Sequence, residues 1–186
     1  FVGTPWNIPR NIKMAKAKQA IPNIFTLTNL SCGVISLLMT FQANYLLAAI
    51  FILLACLADR YDGRVARYLQ VSSELGKELD SLADLVSFGV APSLLMFNIY
   101  NYSNLGIIGY LLVLLLPIAG AYRLARYNST EFDGIFKGVP ITMSGAVLAV
   151  FSILTRNNPE NFFVLSIILV FSFSYLMVSN IKLKKF

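Results

Sequence analysis

The 186-residue sequence contains no histidine. That absence excludes Ser-His-Asp and Cys-His hydrolysis, His-ligated zinc and any phosphohistidine intermediate. Cysteine is nearly absent too: Cys32 and Cys56 alone cannot build a disulfide framework or a zinc site, and each lies in an apolar run as a small core hydrophobe. Charge is scarce at 13% of residues, against about 25% in ordinary globular chains. What is abundant is apolar surface, with 57% hydrophobic residues and a mean hydropathy of +0.69. The composition is not that of a water-soluble domain.

The scarce charges are also segregated. Gln19–Ala58 and Leu85–Tyr122 are uncharged throughout, 40 and 38 residues long. A membrane-spanning helix needs about 20 mostly apolar residues, so each stretch holds two helices and a turn. The turns read as Gln42-Ala43-Asn44 and Asn101-Tyr102-Ser103-Asn104. Two further uncharged runs, Gly138–Thr155 and Asn161–Ile181, are split by Arg156-Asn157-Asn158-Pro159-Glu160. The expectation is an all-α membrane protein with six transmembrane helices, near 24–41, 45–68, 78–100, 106–127, 138–155 and 161–181. Soluble helices would need polar faces, and these have none.

Lys and Arg favour cytoplasmic loops. With both termini inside, the cytoplasmic side receives fourteen of the fifteen basic residues and only Arg156 falls outside. The net charge of +6 therefore reads as an orientation signal facing anionic lipid headgroups. Nucleic acid is not an expected partner, because no contiguous basic and aromatic surface exists. Residues 1–19 read as a leader, with Phe1–Asn11 set aside as a boundary remnant and Ile12–Ala20 as either a short basic interfacial helix or a disordered leader. Residues 20–186 read as one domain.

The acidic residues concentrate the chemistry. Asp59 and Asp62 close the second span, and Asp80 and Asp84 open the third. Ionisable groups near membrane depth mark functional sites by default. Spacings of three and four put each pair on one helix face. At about 100° per residue, Asp59, Asp62, Gly63, Ala66 and Arg67 share one face, and Gly76 lies one turn before Asp80. Interfacial salt bridges would explain any single Asp–Arg pair, but not four aspartates with matching small residues. All-oxygen ligands without His or Cys select Mg²⁺, Mn²⁺ or Ca²⁺. Two such ions shared by four carboxylates suit a phosphoryl or pyrophosphate substrate. Gly63 and Ala66 give clearance for it, and Arg67 is placed to take phosphate oxygens.

Asp59-x-x-Asp62-Gly63-x-x-Ala66-Arg67 followed by Gly76-x-x-x-Asp80-x-x-x-Asp84 resembles the signature of the CDP-alcohol phosphotransferases. The resemblance extends over residues 20–182 and implies six helices with that motif on the second and third, which the charge distribution expects to lie at the cytoplasmic side as the active site. Three longer stretches, residues 76–92, 122–128 and 136–141, are similar to the phosphatidylserine synthase branch. That likeness implies transfer of a phosphatidyl group from CDP-diacylglycerol to L-serine with release of CMP, by direct displacement. It implies that Asp59, Asp62 and Asp80 hold one metal, and Asp59, Asp80 and Asp84 a second, with Asp84 as the catalytic proton acceptor. It places Asn23, Gly63, Ala66, Arg67, Ser73 and Gly76 at the CDP-diacylglycerol, and it implies a homodimer. A serine carboxylate needs a cation, for which Arg123 and Arg126, with Asn128 and Lys137 beside them, are candidates. The alternatives are a sibling transferase using glycerol phosphate or inositol phosphate, and a small divalent-metal transporter. A transporter should show inverted repeats and mid-membrane ligands, whereas here all four aspartates gather at one membrane side and no repeat is visible.

Overall fold

In hydrocarbon every backbone N–H and C=O must be satisfied within the protein, and apolar runs of about 20 residues have the length that spans as a helix. The computed structural model describes residues 10–69, 73–129, 136–179 and 182–183. Among them are six principal helices: α1 (Arg10–Phe41), α2 (Tyr45–Leu69), α3 (Glu74–Ile99), α4 (Ile107–Ser129), α5 (Ile141–Thr155) and α6 (Phe163–Val178). Each expected span is a helix. Short 3₁₀ turns at Tyr102–Leu105 and Pro159–Phe162 join α3 to α4 and α5 to α6. By length and composition, Asn23–Phe41, Glu74–Ile99, Ile107–Ser129 and Pro159–Val178 are each able to cross a membrane. In α2 the apolar run is followed by Asp59, Arg60 and Asp62, and α5 is shorter, at 15 residues.

The first turn forms at the expected place. Ala43 takes the left-handed conformation (φ 57°), and the Asn44 N–H reaches back to the Met39 carbonyl at 2.9 Å, closing α1. The Asn44 side chain then caps α2, accepting from the Leu47 N–H at 3.3 Å.

The interior reverses the usual distribution of residue types. On α1 the buried positions are Thr26, Asn29, Gly33, Ser36 and Thr40, whereas Ile24, Leu27, Val34, Leu38 and Phe41 face outward. On α6, Ser166 and Ser174 are buried, and Val164, Ile168, Phe171 and Tyr175 are exposed. Small and polar residues let helices approach closely, and only lipid covers such an apolar exterior without penalty. The protein is an integral membrane protein.

Two features depart from the expected architecture. Ile12–Ala20 is not a separate interfacial helix; it runs unbroken into the first span within α1. The Ala- and Lys-rich sequence from Ala15 to Ala20 consists of strong helix formers and supplies no stop. Residues 1–9 of the expected leader lie outside the described residues. The second departure is a two-residue antiparallel ladder, Phe136–Lys137 with Lys182–Leu183, pairing Lys137 with Lys182. It is seated by Gly138, whose φ of 78° and close approach to α6 exclude a side chain: a Cβ there would fall 3.0 Å from the Leu176 carbonyl oxygen.

α3 contains a π-helical turn, Leu85–Val90, between its two α-helical halves. The Ala91 N–H bonds to the Val86 carbonyl, five residues back, immediately before Pro92, which has no N–H to donate. This turn begins directly after Asp84.

Candidate active site

The site lies where α2 ends and α3 begins. Ser73 caps α3, its hydroxyl oxygen accepting from the Gly76 N–H at 3.0 Å. The cap fixes the start of α3, and with it the register that puts Asp80 and Asp84 one turn apart on the face toward α1 and α2. Carboxylate oxygens of Asp59, Asp80 and Asp84 come within 4.8 Å of one another. Three carboxylates at that distance repel unless positive charge lies between them. Their donor set is all oxygen, and it fits a hard divalent cation.

Asp62 belongs to the same neighbourhood, close enough to Asp59 and Asp80 to interact with both charges. Its own carboxylate accepts a hydrogen bond from the Thr26 hydroxyl of α1. Asp84 is 7% exposed, accepts from Asn29 Nδ2 at 2.9 Å, and interacts with the charge of Arg123 on α4. Asn29 and Thr26 are functional candidates that sequence reasoning missed. Their signal was available: polar residues three apart inside an uncharged membrane helix are expensive unless they have partners.

The residues expected at the nucleotide are spread over α1, α2 and the start of α3. Gly63 is exposed, and a Cβ built on it would meet nothing within 4 Å, so the protein's own packing does not demand glycine there. Arg67 is exposed one turn further on. Asn23 approaches α3 at Gly76: a Cβ on Gly76 would lie 3.3 Å from Asn23 Oδ1 and 2.9 Å from Ser73 Oγ. The backbone of Ala66 continues α2, while its side chain lies outside the described residues.

The four residues expected at serine separate. Arg123 interacts with the charge of Asp84. Arg126 donates through Nη1 to the Val178 carbonyl at the end of α6, at 3.2 Å, and its guanidinium carbon lies 5.8 Å from the centroid of the Tyr122 ring. The Asn128 amide donates to Glu78 Oε1 (3.1 Å) and Ser81 Oγ (3.0 Å), tying α4 to α3. The Lys137 backbone belongs to the ladder with Lys182.

The sequence that builds this site is similar to those of known proteins. The profile of the CDP-alcohol phosphatidyltransferase family matches residues 19–178. A CDP-diacylglycerol–serine O-phosphatidyltransferase of Helicobacter pylori (strain ATCC 700392 / 26695) is 38% identical over 175 residues, covering 89% of this chain and 72% of the relative. The enzyme of that name from Bacillus subtilis (strain 168) is 38% identical over 167 residues, covering 89% and 90%. One from Methanocaldococcus jannaschii is 35% identical over 166 residues, covering 89% and 74%. Since the match runs from α1 through α6 and encloses the convergent aspartates, the chain belongs to the CDP-alcohol phosphatidyltransferase family.

Proposed function

We propose that this protein transfers the phosphatidyl group of CDP-diacylglycerol to the hydroxyl of L-serine, releasing CMP. The observation that carries the reading is the convergence of Asp59, Asp80 and Asp84 at one end of a lipid-embedded bundle. The names of the relatives favour serine over glycerol phosphate or inositol phosphate. Serine brings one carboxylate and no second phosphate, and Arg123, whose charge interacts with that of Asp84, is a cation available to it.

Asp59, Asp62 and Asp80 would hold one divalent ion, and Asp59, Asp80 and Asp84 a second, Mg²⁺ or Mn²⁺ by ligand hardness, with Ca²⁺ also compatible. Bound there, the ions supply positive charge that offsets the diphosphate and the developing charge on the leaving CMP. Gly63 and Ala66 keep the face of α2 low so that the diphosphate can approach, and Arg67 binds its oxygens. Asn23, Ser73 and Gly76 line the nucleotide side. Arg123 orients the serine carboxylate, and Asp84 accepts the hydroxyl proton as the serine oxygen attacks the β-phosphorus. The new bond joins serine oxygen to phosphorus; the bond broken is phosphorus to the CMP oxygen, which leaves with the electron pair. The acyl chains remain in lipid while the headgroup reacts at the polar end.

The excess of Lys and Arg at that end supports a cytoplasmic location for it and for both termini. The working unit is proposed to be a homodimer. The test is CMP release from CDP-diacylglycerol by purified protein, with serine, glycerol 3-phosphate or inositol phosphate supplied in turn. Stimulation by serine alone is expected. Stimulation by a phosphorylated alcohol instead would overturn the acceptor, and no release with any alcohol would overturn the activity.

A further inference from the structure

Asn29 lies on α1 with none of its surface exposed (0%), in a run of 40 uncharged residues. A primary amide in such a place needs partners, and those it has point to one task. Nδ2 donates to Asp84 Oδ1 at 2.9 Å. The main-chain carbonyl of Asn29 accepts from Ser87 Oγ at 2.9 Å, and Ser87 sits in the π-helical turn that begins directly after Asp84. One turn further along α1, Gly33 lets the helix press on the same turn: a Cβ there would fall 2.9 Å from Ser87 Cα. α1 therefore grips α3 at two successive turns, and the side chain at the centre of the grip is bonded to Asp84. Asn29 Oδ1 has no hydrogen-bond partner among the described residues.

The chemistry of an amide suits this position. A Lys or Arg would neutralise Asp84 and compete with a cation, while an apolar residue would leave the buried carboxylate unbonded. An amide donor orients the carboxylate and adds no charge. Resting on the metal-assisted reading above, we propose that Asn29 is a positioning residue that holds Asp84 in the orientation the divalent ion requires, with its spare Oδ1 available to a water of the ion's shell.

The test is Mn²⁺ binding followed by electron paramagnetic resonance on the purified full chain in detergent, without lipid or alcohol substrate. Asn29→Ala is expected to weaken Mn²⁺ binding about 10–100-fold, the range found when groups that orient metal ligands are removed. The apparent metal requirement for turnover should rise in parallel, and KM for CDP-diacylglycerol at saturating metal should change little. Ser36→Ala removes a different buried bond of α1, to the Ala48 carbonyl at 2.8 Å, and should leave Mn²⁺ affinity at the wild-type level. In an Asp84→Asn background, Asn29→Ala should add no further loss. Wild-type affinity in Asn29→Ala, or an equal loss in the Asp84→Asn background, overturns the proposal. Should Asn29→Ala not fold, Asn29→Ser, too short to reach Asp84, is read in the same way. Asn29-dependent Mn²⁺ binding in a protein indifferent to serine overturns only the choice of acceptor, whereas a wild type that binds no Mn²⁺ overturns both readings.

Discussion

The Thr26 hydroxyl on α1 donates to the Asp62 carboxylate on α2, with both side chains buried, at 2% and 6% exposure. The bond joins a helix with no charge in its membrane span to the acidic end of its neighbour, and so sets how Asp62 is presented. Thr26→Val keeps the shape and removes the donor. It should lower stability by roughly 1–3 kcal/mol, the penalty for leaving a buried acceptor unsatisfied. Thermal unfolding in detergent reads it. An unchanged midpoint would mean that Asp62 finds another donor.

Asp59 and Asp80 are the two carboxylates assigned to both metal ions. Asp59→Asn or Asp80→Asn should therefore abolish transfer, and excess Mg²⁺ or Mn²⁺ should not restore it, because a carboxamide is a weak neutral ligand. Turnover is measured as CMP release across a metal titration. Activity that returns at high metal would show that neither aspartate is shared.

Arg123 is the basic residue on α4 whose charge meets Asp84, whereas Arg126 is bonded to the end of α6. Arg123→Lys retains the charge but loses the planar two-pronged donor geometry suited to a carboxylate. The apparent KM for serine should rise by an amount corresponding to roughly 1–3 kcal/mol, with that for CDP-diacylglycerol little altered. Equal effects on both substrates would place Arg123 in general support of the site.

Asp84→Asn separates binding from chemistry. It preserves shape, removes the proton acceptor and weakens at most one metal site. CDP-diacylglycerol should still bind in the presence of metal, by calorimetry, while serine-dependent CMP release falls by about 10²-fold or more. Loss of both would make Asp84 chiefly a metal ligand, and survival of turnover would assign the proton to another group.

The helices were legible in the residues because hydrocarbon restricts the backbone to helices or closed barrels, and uncharged apolar runs of about 20 residues match the helix. The turn at Gln42-Ala43-Asn44 was equally local, since Asn44 caps the helix that follows it. Helical period alone put Asp59 with Asp62 and Asp80 with Asp84. Tertiary packing decided what those pairs meet. Spacing along one helix cannot say which side chains a second helix brings opposite, and α1 contributes Thr26 to Asp62 and Asn29 to Asp84 across 36 and 55 residues of chain. The four residues around the end of α4 looked alike in sequence, as polar groups near one membrane face. The packing of α4 against its neighbours gives Asn128 a bond to Glu78 and Arg126 one to Val178, and leaves the charge of Arg123 to interact with Asp84. Composition and period act within a segment, and so determined the membrane helices and the acidic faces; partners are chosen between segments, where close packing of small residues such as Gly33 brings one helix face against another.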